Sequence, residues 1–294
     1  MYILLKKVLM AKDLTKKASI INKLKINFFQ SESNYIDAYH LKDIKSNLFF
    51  EPYEGIDERA NSIRSSAAMI YNTIGPDSII FDGIKYSQIE YEREFPALNK
   101  KDNSDHDHSA HLDVSMLSED KKELALIEAK CTEWFYNPKS MKVSYLSPNC
   151  YLPETGFYTQ HFIESFRSLK LCPEQKDPED NTRLLPFYQK YDAVQMNIHI
   201  LGIYNFCARK EEKLPKKIRL LNIVWDYNEA EEYQTEEREG KEYVSFANVN
   251  FRNLFKQIGV EFSVEYVRYS DFLKRVDWSN DMEHRKYLER YEIK

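Results

Sequence analysis

Apolar positions recur along the chain with two spacings, and the alternation between them lays out an order of elements. Helical spacing covers about residues 5–25, then an amphipathic stretch from Ile56 to Ile74 that stops at Gly75-Pro76, a glycine-then-proline end signal. Strand-like segments follow at about 88–95, 111–117 and 123–131. Helical patterns return at about 155–170 and 189–208, separated by a polar, proline-bearing stretch at 172–186 that reads as a surface loop. The run from Ile218 to Trp225 is continuously apolar, the signature of a strand buried on both faces. Glu229–Glu242 is acidic and reads as a solvated excursion, a helix at about 247–258 ends near Gly259, and 260–267 alternates with period two. Helix, three strands, helices, strand, helix, strand predicts an α/β fold with a mixed sheet and helices on its faces. No linker divides two cores, so residues 1–294 are expected to form one domain, with a helical extension over 1–50 and a core over 56–270.

Composition narrows the chemistry. The seven glycines lie at 55, 75, 83, 156, 202, 240 and 259, never closer than eight positions. A dinucleotide fingerprint, a Walker A loop and a nucleophile elbow each need glycines within a few residues, so all three are excluded. Cys131, Cys150, Cys172 and Cys207 are too far apart for a CxxC site, and reduced thiols are expected. No apolar stretch is long enough for a membrane span, and no small-residue cleavage site follows the opening residues, so the expected location is the cytoplasm, away from membranes. Net charge is −5, but residues 1–26 hold seven lysines against one aspartate. That lysine-rich start reads as a solvated helix rather than an arm on phosphate.

Chemistry concentrates between positions 111 and 131. Asp113 lies within Leu-Asp-Val, and Glu128 and Lys130 within Leu-Ile-Glu-Ala-Lys. Side chains two apart on a strand share a face, so Glu128 and Lys130 point the same way. If the two strands pair with Leu117 opposite Leu124, Asp113 falls opposite Glu128, with Cβ atoms about 4.5–5.5 Å apart. Carboxylates that close repel unless one is protonated or a cation lies between them. Oxygen ligands suit Mg²⁺ or Mn²⁺ better than zinc, and Lys130 would add positive charge beside the metal. The same pattern also fits ordinary charges on the wet face of a hairpin. Against that stands the apolar character of 124–129 on both faces, where an unpaired carboxylate is costly.

An aspartate on one strand and Glu-x-Lys on the next, with helices before and after, resembles the PD-(D/E)xK nuclease superfamily. Arg64-Ser-Ser-Ala-Ala-Met-Ile-Tyr-Asn72, Ala110-His-Leu-Asp113 and Glu128-Ala-Lys-Cys-Thr-Glu133 are similar to a little-characterised bacterial branch of it, over roughly 56–270. The resemblance implies a restriction-endonuclease-like, three-layer α/β/α core with a mixed central sheet. It further implies a Mg²⁺- or Mn²⁺-dependent nuclease hydrolysing DNA. Asp113, Glu128 and the carbonyl of Ala129 would hold the metal, and Lys130 would be the catalytic lysine. Glu58 or Glu94 would supply a further acidic residue, and Gln195, in competition with Gln160, a glutamine. Leu112 stands where the family often has proline. Cutting both strands would favour a homodimer.

Three other readings compete. Asp105-His-Asp-His108 with His111 resembles a zinc cluster, though its polar setting reads as a loop tip. Cys131 beside Lys130 has no sequence partner for nucleophilic chemistry and reads as a buried thiol. A nuclease-like fold could also serve as a silent nucleic-acid-binding or protein-interaction module. The 21 tyrosines and 17 phenylalanines could stack on bases, but most are expected in the core.

Overall fold

The first described helix, α1 (Ser66–Ile74), ends where Gly75 adopts φ +72° and its N–H returns to the Tyr71 carbonyl at 2.8 Å. The structure, a computed structural model, describes residues 66–75, 78–99, 108–136, 138, 140–169, 183–184, 187–209, 213–279 and 281–288. The expected helix at 5–25, the extension over 1–50, Glu58 and the Asp105–Asp107 turn lie outside them.

Four strands then run antiparallel. β1 (Ile79–Phe81) turns into β2 (Ile84–Leu98) through Asp82-Gly83, both at positive φ, the two-residue hairpin whose twist matches its strands. β3 (His108–Ser118) and β4 (Glu123–Lys130) follow, and Leu117 does pair with Leu124. A long excursion holds a two-stranded pair, β5 (Met141–Lys142) with β6 (Arg183–Leu184), and the helices α2 (Thr159–Ser168) and α3 (Ala193–Arg209). It returns as β7 (Lys217–Val224), parallel to β4 and almost wholly buried, as its apolar run requires. α4 (Glu231–Gln257) crosses over to β8 (Glu261–Arg268), parallel to β7, and the helices α5 (Tyr269–Arg275) and α6 (Met282–Leu288) follow. The result is a six-stranded mixed sheet in the order β1-β2-β3-β4-β7-β8.

A core lies on each face. Ala125, Ile127, Leu221 and Ile223 pack with Met69 and Ile70 of α1 and with Phe272 and Leu273 of α5. Leu124, Leu126, Ile218 and Leu220 pack with Phe162 of α2, Ile200 and Ile203 of α3, and Phe251 of α4. β2 and β3 serve both. Tyr91 belongs to the first core and Phe95 to the second, although residues four apart on a regular strand share a face. Between them Glu92 takes φ +51°, a left-handed residue inside a strand, which turns the chain over. Across the ladder, Val114 and Leu112 change cores at the same level.

Two contacts set the site's surroundings. Gly202 lets α3 lie directly on β2 and β3: a Cβ there would meet Phe95 Cβ and its carbonyl oxygen, each at 2.9 Å, and Ala110 Cβ at 3.1 Å. Buried Arg219, inside the apolar run of β7, binds Asp82, Glu123 and Glu265 at 2.8–3.2 Å and lies over Phe81.

The acidic stretch is a correction to the sequence reading. Glu231–Gln257 is one helix of 27 residues, and Glu236, Glu237 and Glu239 are buried rather than solvated. Each has a partner distant in sequence: Tyr266 Oη donates to Glu236, Arg268 to Glu237, and the main-chain N–H groups of Gln189, Lys190 and Tyr191 to Glu239. These partners offset the desolvation that local sequence alone leaves unpaired.

A candidate carboxylate–lysine site on the sheet

One row across the sheet gathers the polar residues. Tyr91↔Val114 and Arg93↔Leu112 flank the step at which Glu92 stands opposite Asp113. The β3–β4 ladder ends at Val114↔Ile127, so the next step would bring Asp113 level with Glu128. The row continues through Glu128↔Asn222 and Asn222↔Tyr266. The expected direct pairing of Asp113 with Glu128 is therefore one step beyond the ladder. In its place Asp113 Oδ2 accepts the N–H of Ala129 at 2.5 Å, a side chain substituting for the ladder's next carbonyl.

Glu128 is the hub of this row and is 3% exposed. Lys130 Nζ donates to its Oε1 at 2.6 Å, and Gln195 Nε2 donates to the same oxygen at 2.8 Å. His199 Nε2 stands 3.1 Å from Oε2, an ion-pair distance lying outside hydrogen-bond direction. Asn222 Nδ2 donates to the Glu128 main-chain carbonyl at 3.1 Å. Burial works against the charge of Glu128, but Lys130 and His199 outweigh it and hold the carboxyl down at about 2. For Lys130 burial opposes charge as well, and Glu128, Glu133 and Asp113 together raise the ammonium above its ordinary value.

The other two carboxyls of the row respond oppositely. Burial, then the charges of Glu128 and Glu92, push Asp113 well above the carboxylate range, against the pull of Lys130 and the Ala129 N–H. Burial and Glu128 raise Glu92 to about 7, again against Lys130. Three carboxyls thus share the field of one lysine, the condition under which protons are retained.

Gln195 is positioned by helix chemistry. Asp192 accepts the Gln195 N–H at 2.9 Å, a cap that fixes the first turn of α3. Gln195 and His199, four apart, then share one face of α3. Gln160, by contrast, is exposed and donates to Glu164 within α2, away from Glu128. Glu94 is exposed too, 3.6 Å from exposed His111. His108 begins β3 and His106 lies outside the described residues. Cys131 is fully buried and in no disulfide. Sequence reasoning missed Glu92 and His199. The first follows from register once Asp113 is placed; the second follows from its spacing to Gln195.

No protein-family model, curated protein or solved structure matches this chain. The site's own chemistry therefore carries the functional argument. Among the described residues, no three His, Cys, Asp or Glu side chains are gathered closely enough to hold a metal as they stand. Nor is any described helix long and apolar enough to cross a membrane.

Proposed function

We propose that the chain is a divalent-metal-dependent phosphodiester hydrolase acting on DNA, with the reaction centred on Asp113, Glu128 and Lys130. The observation that carries this reading is the charge imbalance of the row: Glu92, Asp113 and Glu128 face a single lysine, and Asp113 and Glu92 are pushed towards holding protons. A hard cation would take the place of those protons, and an all-oxygen donor set suits Mg²⁺ or Mn²⁺. Asp113, Glu128 and the Ala129 carbonyl would hold it, with Glu92 in place of the exposed Glu94. Bound there, it would lower the pKa of a water and draw charge from the phosphoryl oxygens.

The protein's part is positional. Gln195 and His199 fix the Glu128 carboxylate, and Glu128 fixes the Lys130 ammonium at 2.6 Å. Lys130 is then set to orient an attacking water and to offset negative charge building on the phosphate. The Ala129 N–H anchors one oxygen of Asp113 and leaves the other without that restraint. The restriction-endonuclease-like architecture that the resemblance implies is compatible with the mixed sheet and a core on each of its faces.

A second reading draws on the same network. Glu128 already has Lys130, Gln195 and His199 on its two oxygens, as a closed structural cluster would, so the fold could bind nucleic acid without turnover. Plasmid cleavage by the wild type and Lys130→Ala in Mg²⁺, Mn²⁺, Ca²⁺ and EDTA separates the two. Nicking by the wild type alone, in Mg²⁺ or Mn²⁺, supports hydrolysis; DNA binding in Ca²⁺ without cleavage in any metal supports the silent module.

A further inference from the structure

At the end of β4 remote from Lys130, a cavity of about 460 Å³ opens between the β3–β4 turn and the chain that enters β7. Leu124 in its wall and Lys130 lie about 20 Å apart along the strand, so this place is distinct from the carboxylate row. Its size falls within the range of small-molecule sites. The charge of its wall is nearly all of one sign. Arg93, Lys121, Lys122, Lys213 and Lys216 line it, against Asp120. Asp120 is taken by Lys122 at 2.9 Å, and the neighbouring Glu119 and Glu123 by Lys85 at 2.8 Å and Lys217 at 2.9 Å. Among the described residues no carboxylate pairs with Lys121, Lys213 or Lys216. The sequence from Arg209 to Lys217 carries five basic residues against two acidic ones, in a chain whose net charge is −5.

The backbone imposes this crowding. Ser118 Oγ accepts the N–H groups of Lys122 at 3.1 Å and Glu123 at 2.9 Å, which pins the turn while Lys121 takes φ +58°. The N–H of Lys217 donates to the Lys122 carbonyl at 3.0 Å and ties the second segment to the first. Arg93 is fixed as well: its Nη1 donates to Ser115 Oγ at 3.2 Å and its guanidinium lies over the Phe206 ring at 5.0 Å. Leu117, Leu124 and Leu214 give the wall an apolar part that belongs to the second core. Like charges gathered against a low-dielectric wall repel one another and concentrate anions, and an anion between them relieves the repulsion.

The number of unpaired ammonium groups bears on which anion. One carboxylate would neutralise one lysine of the three. A chain of phosphates packs several charges into a small volume and presents acceptor oxygens on every side. Lysine, a compact charge with rotatable donors on a flexible stem, suits such a group. We propose that this cavity binds an oligophosphate, with its phosphates held by Lys121, Lys213 and Lys216 beside the fixed guanidinium of Arg93. The site does not depend on the hydrolase reading. Phosphates also line a nucleic-acid backbone, and the experiment separates that source from a free oligophosphate.

The test is isothermal titration calorimetry on the full chain in metal-free buffer. The probes are inorganic triphosphate, citrate as a tricarboxylate, and a short DNA duplex. Triphosphate is expected to bind saturably at one site per chain and more tightly than citrate. Lys213→Gln and Lys216→Gln should each weaken it about threefold or more. So should Lys121→Asn, whose residue type tolerates the positive φ. The triple variant should lose about thirtyfold or more while melting no lower than the wild type without ligand, since it removes like-charge repulsion. No saturable triphosphate binding, equal binding of citrate, or undiminished binding by the triple variant would overturn the proposal. Triphosphate binding lost in Lys130→Ala but kept in the triple variant would place the anion at the carboxylate row and overturn it too. Duplex binding that falls in the triple variant, with triphosphate unbound, would give these lysines to a nucleic-acid backbone instead.

Discussion

Asp113 and Ala129 are joined by a 2.5 Å hydrogen bond from the main chain of β4 to a carboxyl of β3, at the point where the ladder between those strands stops. The aspartate thus completes the sheet locally and sets a second acid group beside the charge of Glu128, which with burial pushes it well above the carboxylate range. These two effects can be separated. Asn in this position still accepts the Ala129 N–H but carries no charge. Asp113→Asn is expected to raise the melting temperature at neutral pH, because burial and the charge of Glu128 oblige Asp113 to take up a proton on folding and Asn need not, and to lower DNA cleavage at least about a hundredfold. Thermal unfolding and cleavage measured on the same preparation check it; a fall in both would show the charge to be structural.

Lys130 should be needed for stability as well as for cleavage. Removing one partner of a buried ion pair leaves the other unpaired, at about 3–5 kcal/mol. Lys130→Met is expected to destabilise the protein by that order, and adding Glu128→Gln should restore most of the loss. Denaturant unfolding of the two single variants and the double variant would reveal the coupling.

His199 is predicted to act through Glu128. With the imidazole gone, the Glu128 carboxyl should titrate upward from about 2 towards the ordinary glutamate value. Its charge, and the stability it brings above that value, would then be lost at a higher pH as acid is added. The ¹³C shift of the Glu128 carboxyl, followed against pH in His199→Phe and in the donor-retaining His199→Gln, measures this. An unmoved titration in His199→Phe would rule out the role.

Glu236 makes the opposite prediction. Burial raises its carboxyl to about 8, so between about 4.5 and 8 the folded protein binds a proton that the unfolded chain has released. The contribution to stability is therefore fullest at acid pH and is lost as pH rises through 8. Glu236→Gln should flatten that decline and be more stable than the wild type at pH 9, by an amount on the order of a few kcal/mol. Urea unfolding of both proteins at pH 5, 7 and 9 is the check.

Gly202 is expected to tolerate no side chain. Ala there would push α3 away from Phe95 and Ala110, at about 1–3 kcal/mol, and would shift Gln195 and His199 relative to Glu128. Loss of stability together with a rise in the Glu128 titration would identify helix seating as the cause.

Much of the fold was legible because its signals are local. The apolar run of β7, the alternation of β8, the stop at Gly75 and the pairing of Leu117 with Leu124 each follow from neighbouring residues. Strand alternation likewise places Glu128 and Lys130 on one side of β4. What escaped depends on distant partners or rare backbone. Glu236, Glu237 and Glu239 look solvated until Tyr266, Arg268 and the 189–191 main chain are beside them. Glu92 lies between Glu90 and Glu94 in a regular-looking alternation, and nothing in a glutamate announces φ +51°. His199 sits among apolar helix residues, where most histidines are ordinary core members; only its spacing from Gln195 set it apart.

The turnover of β2 and β3 at Glu92 and Asp113 bears on how the molecule comes apart. Each of these strands is sewn into one core before that point and into the other after it, so neither core can melt without unpicking hydrogen bonds that brace its neighbour. Hydrogen exchange should find the amides of Met116 and Leu112, on opposite sides of the turnover, opening with one shared free energy. A sheet bent in this way gains cooperativity from the same irregularity that assembles its carboxylates.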